Sequence, residues 1–213
     1  MRKSFFLNLV CLFLAGSSVY AQGVHELLLT DQQLLTKLAK NLRDSNNNDE
    51  FQRSLKVSKL FSEFSRKMEN AEKYPPEYLD VLQNYKAVLN KSIDGMDPQS
   101  VNQTLDYLYT DINLKYESMP QLNGDWSAIR VPVTVKVVNQ TGQEQSGYNV
   151  FAKFYLSTDN VFSEQFNPTN NANKEMLPGW YLFWISKDGK KISERSDHVR
   201  RTSDKNIIVF NIQ

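Results

Sequence analysis

From residue 24 to about residue 117 the apolar side chains recur at steps of three and four, and from about residue 129 they alternate. The period changes once, which predicts a helical half followed by a β half. The first helical stripe carries Leu27, Leu28, Leu34, Leu35, Leu38 and Leu42, with Thr30 and Gln33 spaced as a capping box, and the polar run from Asp44 to Asp49 ends it. A second stripe opens near Asp49, places Phe51, Leu55, Phe61, Phe64, Met68 and Ala71 close to one face, and stops at Pro75-Pro76. Proline is tolerated in a first helical turn, so the same pair can open a third stripe of Tyr78, Leu79, Leu82, Tyr85 and Leu89. The fourth has the sharpest start, with Asp97 as N-cap, Pro98 at the first helical position, then Val101, Leu105, Leu108 and Ile112. Short connections between amphipathic helices favour antiparallel neighbours in a bundle. A helical repeat array would show self-similarity at about 34 residues, and none is seen.

Met119-Pro120-Gln121-Leu122-Asn123-Gly124-Asp125 is rich in breakers and marks the boundary. Beyond it Val131, Val133, Val135 and Val137 alternate with polar residues, and Pro132 places this strand at a sheet edge. Asn139-Gln140-Thr141-Gly142 supplies a turn, followed by a strand from Tyr148 to Leu156 and a short one from Phe162 to Phe166. Trp180 to Lys187 is apolar on both faces and reads as a central strand. Asp188-Gly189 is a hairpin signal that returns the chain through Lys191 to Arg195, and Ile207 to Ile212 is the last strand. Six or seven short strands in the ~90 residues after the boundary predict a β-sandwich.

The valine-rich strand, Gly142, Gly147 and Val150, then Leu177-Pro178-Gly179-Trp180-Tyr181 and Lys187-Asp188-Gly189-Lys190-Lys191, resemble the carboxypeptidase regulatory-like, or prealbumin-like, sandwich domains. The resemblance covers roughly residues 129–213 and implies support, spacing or binding instead of catalysis. The expected fold class is therefore α+β: an N-terminal antiparallel bundle of about four helices, then an immunoglobulin-like or prealbumin-like β-sandwich. The expected division is 1–21 signal peptide, 22–119 helical domain and 126–213 β domain.

The signal peptide rests on Arg2 and Lys3 ahead of an apolar run from Phe5 to about Ala15, with Val19 and Ala21 at the small-residue positions before a cut between Ala21 and Gln22. The run is shorter than the ~20 residues of a spanning helix, so the mature chain is expected not to span a membrane. Cys11 is the single cysteine and lies in this segment, leaving no disulfide or thiolate chemistry in the mature chain. The expected location is the periplasm or the exterior of a bacterial cell.

Charge is nearly balanced, 25 basic against 24 acidic residues, which gives no basic excess for nucleic acid. Only His25 and His198 are present. Ser196-Asp197-His198 sets three catalytic residue types side by side, but neighbours on one strand diverge where a triad must converge. Asp49-Glu50 reads as helix-opening charge, not a glycosidase pair. The run Lys187, Lys190, Lys191, Arg195, Arg200, Arg201 and Lys205 is interrupted by acids and reads as a solvated sheet edge. No catalytic, cofactor-binding or metal-ligating set is expected.

What remains is aromatic. Trp180, Tyr181, Phe183 and Trp184 are the candidate binding residues, with an envelope protein or a surface glycan as partner. The alternation puts Trp180, Leu182 and Trp184 on one face of their strand and Tyr181, Phe183 and Ile185 on the other. A two-layer sandwich covers one face only, leaving the second set in water, so the helical half is expected to dock over Tyr181, Phe183 and Ile185.

Overall fold

The computed structural model describes residues 3–71, 73–119, 126, 129–157, 164–166, 171–201 and 206–212, with 3–20, 164 and 171 described as backbone alone. Four helices are followed by seven strands in two small sheets, an α+β chain. The helices are α1 (Lys3–Asp44), α2 (Asn48–Glu69), α3 (Glu77–Gly95) and α4 (Pro98–Ser118). α1 packs on α2 and α3, and α4 packs on the same two helices, closing a bundle around Leu35, Leu38, Phe61, Phe64, Leu82, Tyr85, Leu105 and Ile112.

The helix starts follow their sequence signals at one end and not the other. Asp97 caps α4 by accepting the Ser100 N–H at 2.8 Å, with Pro98 at the first helical position. The Thr30–Gln33 capping box does not form. Thr30 lies inside α1, its hydroxyl donating to the Glu26 carbonyl one turn back at 2.9 Å, because the helix is already propagating when the chain reaches it. α1 also runs without a break across the expected cut between Ala21 and Gln22. Among the α1 residues whose side chains are described, the buried apolar positions are Val24, Leu28, Leu35, Leu38, Ala39 and Leu42. Leu55, expected on the α2 core stripe, is exposed.

The first sheet has strand order β4 (Asn171–Met176), β1 (Val131–Val138), β7 (Asn206–Asn211), with β1 antiparallel to β4 and parallel to β7. The second has order β3 (Glu164–Gln165), β2 (Asn149–Phe154), β5 (Gly179–Lys187), β6 (Lys190–Val199), antiparallel throughout. β5 is internal, as its apolar faces predict. β1 is internal too, which corrects the edge position expected from Pro132. Pro132 is tolerated because the ladder with β7 begins only at Val133, leaving one flank of the proline open. β4 was not legible, having only Ala172 and Met176 as its buried apolar residues. Phe162 and Lys205 lie outside the described residues.

The core between the sheets is filled by Val133, Val135 and Val137 of β1, Ile208 and Phe210 of β7, Val150, Ala152 and Phe154 of β2, and Tyr181, Phe183 and Ile185 of β5. This reverses the faces expected for β5: Tyr181, Phe183 and Ile185 are 3%, 0% and 0% exposed, while Trp180, Leu182 and Trp184 face outward and are half-buried. A strand apolar on both sides carries no signal for which side is inner.

The β5–β6 hairpin turns on Asp188 at φ 50° and Gly189 at φ 75°, the paired left-handed residues of a two-residue turn. Gly189→Ala meets no atom within 4 Å, so its whole effect is backbone strain and is expected to lower stability by about 1–2 kcal/mol. Gly95→Ala is equally uncrowded but sits in a helix, and is expected to raise stability by up to about 1 kcal/mol. Urea denaturation of the two variants against wild type measures both signs.

Candidate functional site

The helical and β halves meet where β5 begins. Tyr107, Asp111 and Lys115 recur at four-residue steps on α4, so they share a face distinct from the Val101, Leu105, Leu108 and Ile112 stripe. That face packs on β5. Asp111 and Lys115 are both 0% exposed and 2.7 Å apart. Asp111 Oδ2 accepts from Lys115 Nζ and from the Tyr85 hydroxyl at 2.6 Å, while Oδ1 accepts the backbone N–H of Trp180 at 2.6 Å. Tyr107 accepts at 2.8 Å from Asn84 Nδ2, so the cluster ties α3, α4 and β5 together.

Removing both charges from water is expensive, and the carboxylate recovers that cost through three donors arranged around it. Burial pulls Lys115 below the ordinary lysine range, against the opposing pull of Asp111. Burial, reinforced by the negative Asp111, drives Tyr85 and Tyr107 well above the usual phenol range, and does the same to Tyr78, whose hydroxyl has no hydrogen-bond partner among the described residues. An aspartate, a lysine and tyrosines are a catalytic vocabulary, but here they are enclosed by core on every side, and their chemistry goes into holding β5 against α4. Gly179 makes that approach feasible, since a Cβ there would stand 2.5 Å from Lys115 Nζ and 2.6 Å from Asp111 Oδ1. This gives a physical reason for the glycine of Leu177-Pro178-Gly179.

Three further ties cross the same junction. Arg130, just ahead of β1, grips both carboxylate oxygens of Glu77 in the first turn of α3, the Nη2–Oε2 contact being 2.6 Å. The Trp126 N–H donates to the Lys73 carbonyl at 2.8 Å, with its side chain fully buried. Arg201 Nη1 donates to the Ser118 carbonyl at the end of α4. The bundle therefore docks on the second sheet as expected, but on the outer face at Trp180 instead of over Tyr181, Phe183 and Ile185.

Strand register sets out that outer face in rows. Tyr155, Trp180 and His198 lie beside one another, then Lys153, Leu182 and Ser196, then Gln165, Phe151, Trp184 and Glu194. Tyr155 and Trp180 stack with centroids 4.3 Å apart at 4°, and Phe151 and Trp184 at 5.2 Å and 13°. α4 reaches the first row, Tyr107 lying tilted against Tyr155 at 6.3 Å and Trp180 at 6.4 Å. The other sheet turns Pro132, Asn173, Glu175 and Asn211 outward together with the apolar Ile207 and Val209, and carries no aromatic residue on that face.

Of the sequence candidates, Trp180 and Trp184 thus lie on this outer face, and Tyr181 and Phe183 in the core. Tyr181 donates its hydroxyl to the Leu177 carbonyl at 3.0 Å. Ser196, Asp197 and His198 do not converge. Asp197 pairs with Arg195 at 2.8 Å on the opposite side of β6, and the imidazole, lowered by burial and then by Arg200, packs edge-on against Trp180 at 4.8 Å. Glu50, in the first turn of α2, accepts from Asn102 at 2.9 Å, a bond that lowers its pKa. The basic run belongs to the edge strand β6 and its flanks, where Lys191 pairs with Glu194 and Arg195 reaches the Val209 carbonyl of the other sheet at 3.0 Å. Among the described residues no three His, Cys, Asp or Glu side chains group as a metal would need. The Tyr107–Asp111–Lys115 face was missed because polar residues on a helix read as its solvent side. Their four-residue spacing around a tyrosine was the available signal.

Asp111→Ala leaves the Lys115 charge buried and is expected to cost about 3–5 kcal/mol, whereas the paired Asp111→Leu, Lys115→Met replacement is expected to cost much less. Gly179→Ala is expected to lose about 1–3 kcal/mol by overpacking. Denaturation midpoints of the three variants decide; an Asp111→Ala midpoint equal to wild type would contradict the assignment.

No family model matches the chain, and no curated protein matches it.

Proposed function

We propose that this is a non-catalytic structural and interaction protein of the bacterial envelope, secreted or periplasmic, built as a helical bundle clamped to a prealbumin-like sandwich. The observation that carries the reading is the outer face of the second sheet. Its first row is already the seat of α4, and the aromatic and apolar strip continues through Leu182 to Phe151 and Trp184, while the corresponding face of the first sheet has no aromatic residue and sets Ile207 and Val209 among Lys136, Asn173, Glu175 and Asn211. The half-buried rows beyond Trp180 are the partner surface. Cleavage between Ala21 and Gln22 is compatible with the bundle, since it leaves Val24, Leu28, Leu35, Leu38 and Leu42 in place. Among the described residues no helix is long and apolar enough to cross a membrane. The Leu177-Pro178-Gly179-Trp180-Tyr181 entry to β5 supports the prealbumin-like reading.

A protein partner suits this face better than a glycan. Sugars stack on open aromatic faces, but these rings stand on the sheet and stack against each other at 4° and 13°, so each pair turns edges outward. Edges accept the tilted aromatic and aliphatic contacts that Tyr107 already makes.

The experiment places a photocrosslinking residue at exposed Ser196 in the producing cell, identifies the captured protein, and measures its binding to purified full-length chain. Leu182→Lys is expected to weaken binding at least tenfold, and Thr134→Lys on the first sheet to leave it unchanged. Oligosaccharide binding abolished by Trp184→Ala would replace this reading with the glycan one, and hydrolytic turnover by the pure protein would overturn both. Recovery of intact, unprocessed chain from the cytoplasm would overturn secretion.

A further inference from the structure

On α1 the core positions run Val24, Leu28, Leu35, Leu38 and Leu42, and the alternating four–three spacing has one more member, Asp31. A carboxyl group therefore occupies a seam position of the bundle. Asp31 is 0% exposed, and neither of its oxygens has a hydrogen-bond partner among the described residues. This is unlike Asp111, whose two oxygens take three donors.

The helices packed on α1 offer little compensation. The buried face of α2 consists of Ser54, Val57, Phe61, Phe64 and Met68, with no charge. α3 contributes Val81, Leu82, Asn84, Val88 and Leu89, together with tyrosines that burial keeps protonated. The charge that bears on Asp31 is Lys86 of α3, itself exposed and so largely solvated. An unpaired carboxylate in such surroundings costs several kcal/mol, and the group avoids that cost by keeping its proton.

We propose that Asp31 is a built-in proton site of the bundle, neutral while α1 is docked, and that its ionisation loosens the grip of α1 on α2 and α3 as the medium turns alkaline. Desolvation by burial raises the group from 3.8 to about 8, with Lys86 pulling the other way. The native pKa lies above the unfolded one, so well below 3.8 both states hold the proton and pH has no effect through this group. Between 3.8 and about 8 the unfolded chain has released it and the native chain has not, so stability falls as pH rises, by up to about tenfold in the folded-to-unfolded ratio per pH unit. Above that window the loss is complete.

The test is chemical denaturation of full-length wild type, Asp31→Asn and Asp31→Leu from pH 5 to pH 9, with carbon NMR of the Asp31 carboxyl in the wild type. The wild-type midpoint is expected to fall relative to both variants, the gap widening up to about pH 8 and then levelling off, and the carboxyl to titrate in that same region. Midpoints that move in parallel in all three proteins, or a carboxyl that titrates near pH 4, would overturn the proposal. Should Asp31→Asn fail to fold, Asp31→Leu and the wild-type titration still decide it.

Discussion

A charge pair buried on one helix constrains the whole arrangement. Asp111 and Lys115 on α4 are sealed from solvent, and the carboxylate is satisfied only because Tyr85 from the bundle and the Trp180 backbone from the sheet both donate to it. Neither half alone supplies the full set. Pulling the sheet away removes the donor to Oδ1 and exposes or orphans the rest, so the pair acts less as a source of net stability than as a device that admits one geometry. Gly179 and the four-residue spacing of Tyr107, Asp111 and Lys115 are the residue choices that geometry demands.

The outer sheet face is organised by the same joint. α4 is held at Trp180, one end of an aromatic strip that runs on through Leu182 to Trp184. A rigid joint fixes which end of the strip α4 takes up, and under the proposed function the remainder is what a partner would meet. The edges of the second sheet are protected differently: β6 carries paired charges, and Arg195 bridges from it to a β7 carbonyl. Edge pairing is thereby discouraged.

Four helices, the Asp97 cap, the internal position of β5 and the Asp188-Gly189 turn were legible in the sequence because each depends on local spacing or on one residue's backbone preference. The features that escaped depend on partners distant in sequence. β5 is apolar on both sides, so only the contact of Trp180 with α4 distinguishes outside from inside, and Tyr181 and Phe183 passed for surface candidates. Pro132 signals an edge only if both flanks are paired at its level, and here one is not. Asp111 and Lys115 looked like solvent-facing charges, since an i, i+4 pair is the commonest pattern of an exposed helix. β4 had too few apolar residues to register, because it borders its sheet and buries little.

The central claim is that helices and sheets are one cooperative body. Equilibrium unfolding of the full-length chain in urea, followed at once by far-ultraviolet circular dichroism for the helices and by emission from Trp126, Trp180 and Trp184 for the junction and sheet, tests it most directly. The account requires the two transitions to coincide in midpoint and slope. Two separated transitions, with the helices melting while the tryptophan signal stays native or the reverse, would contradict it.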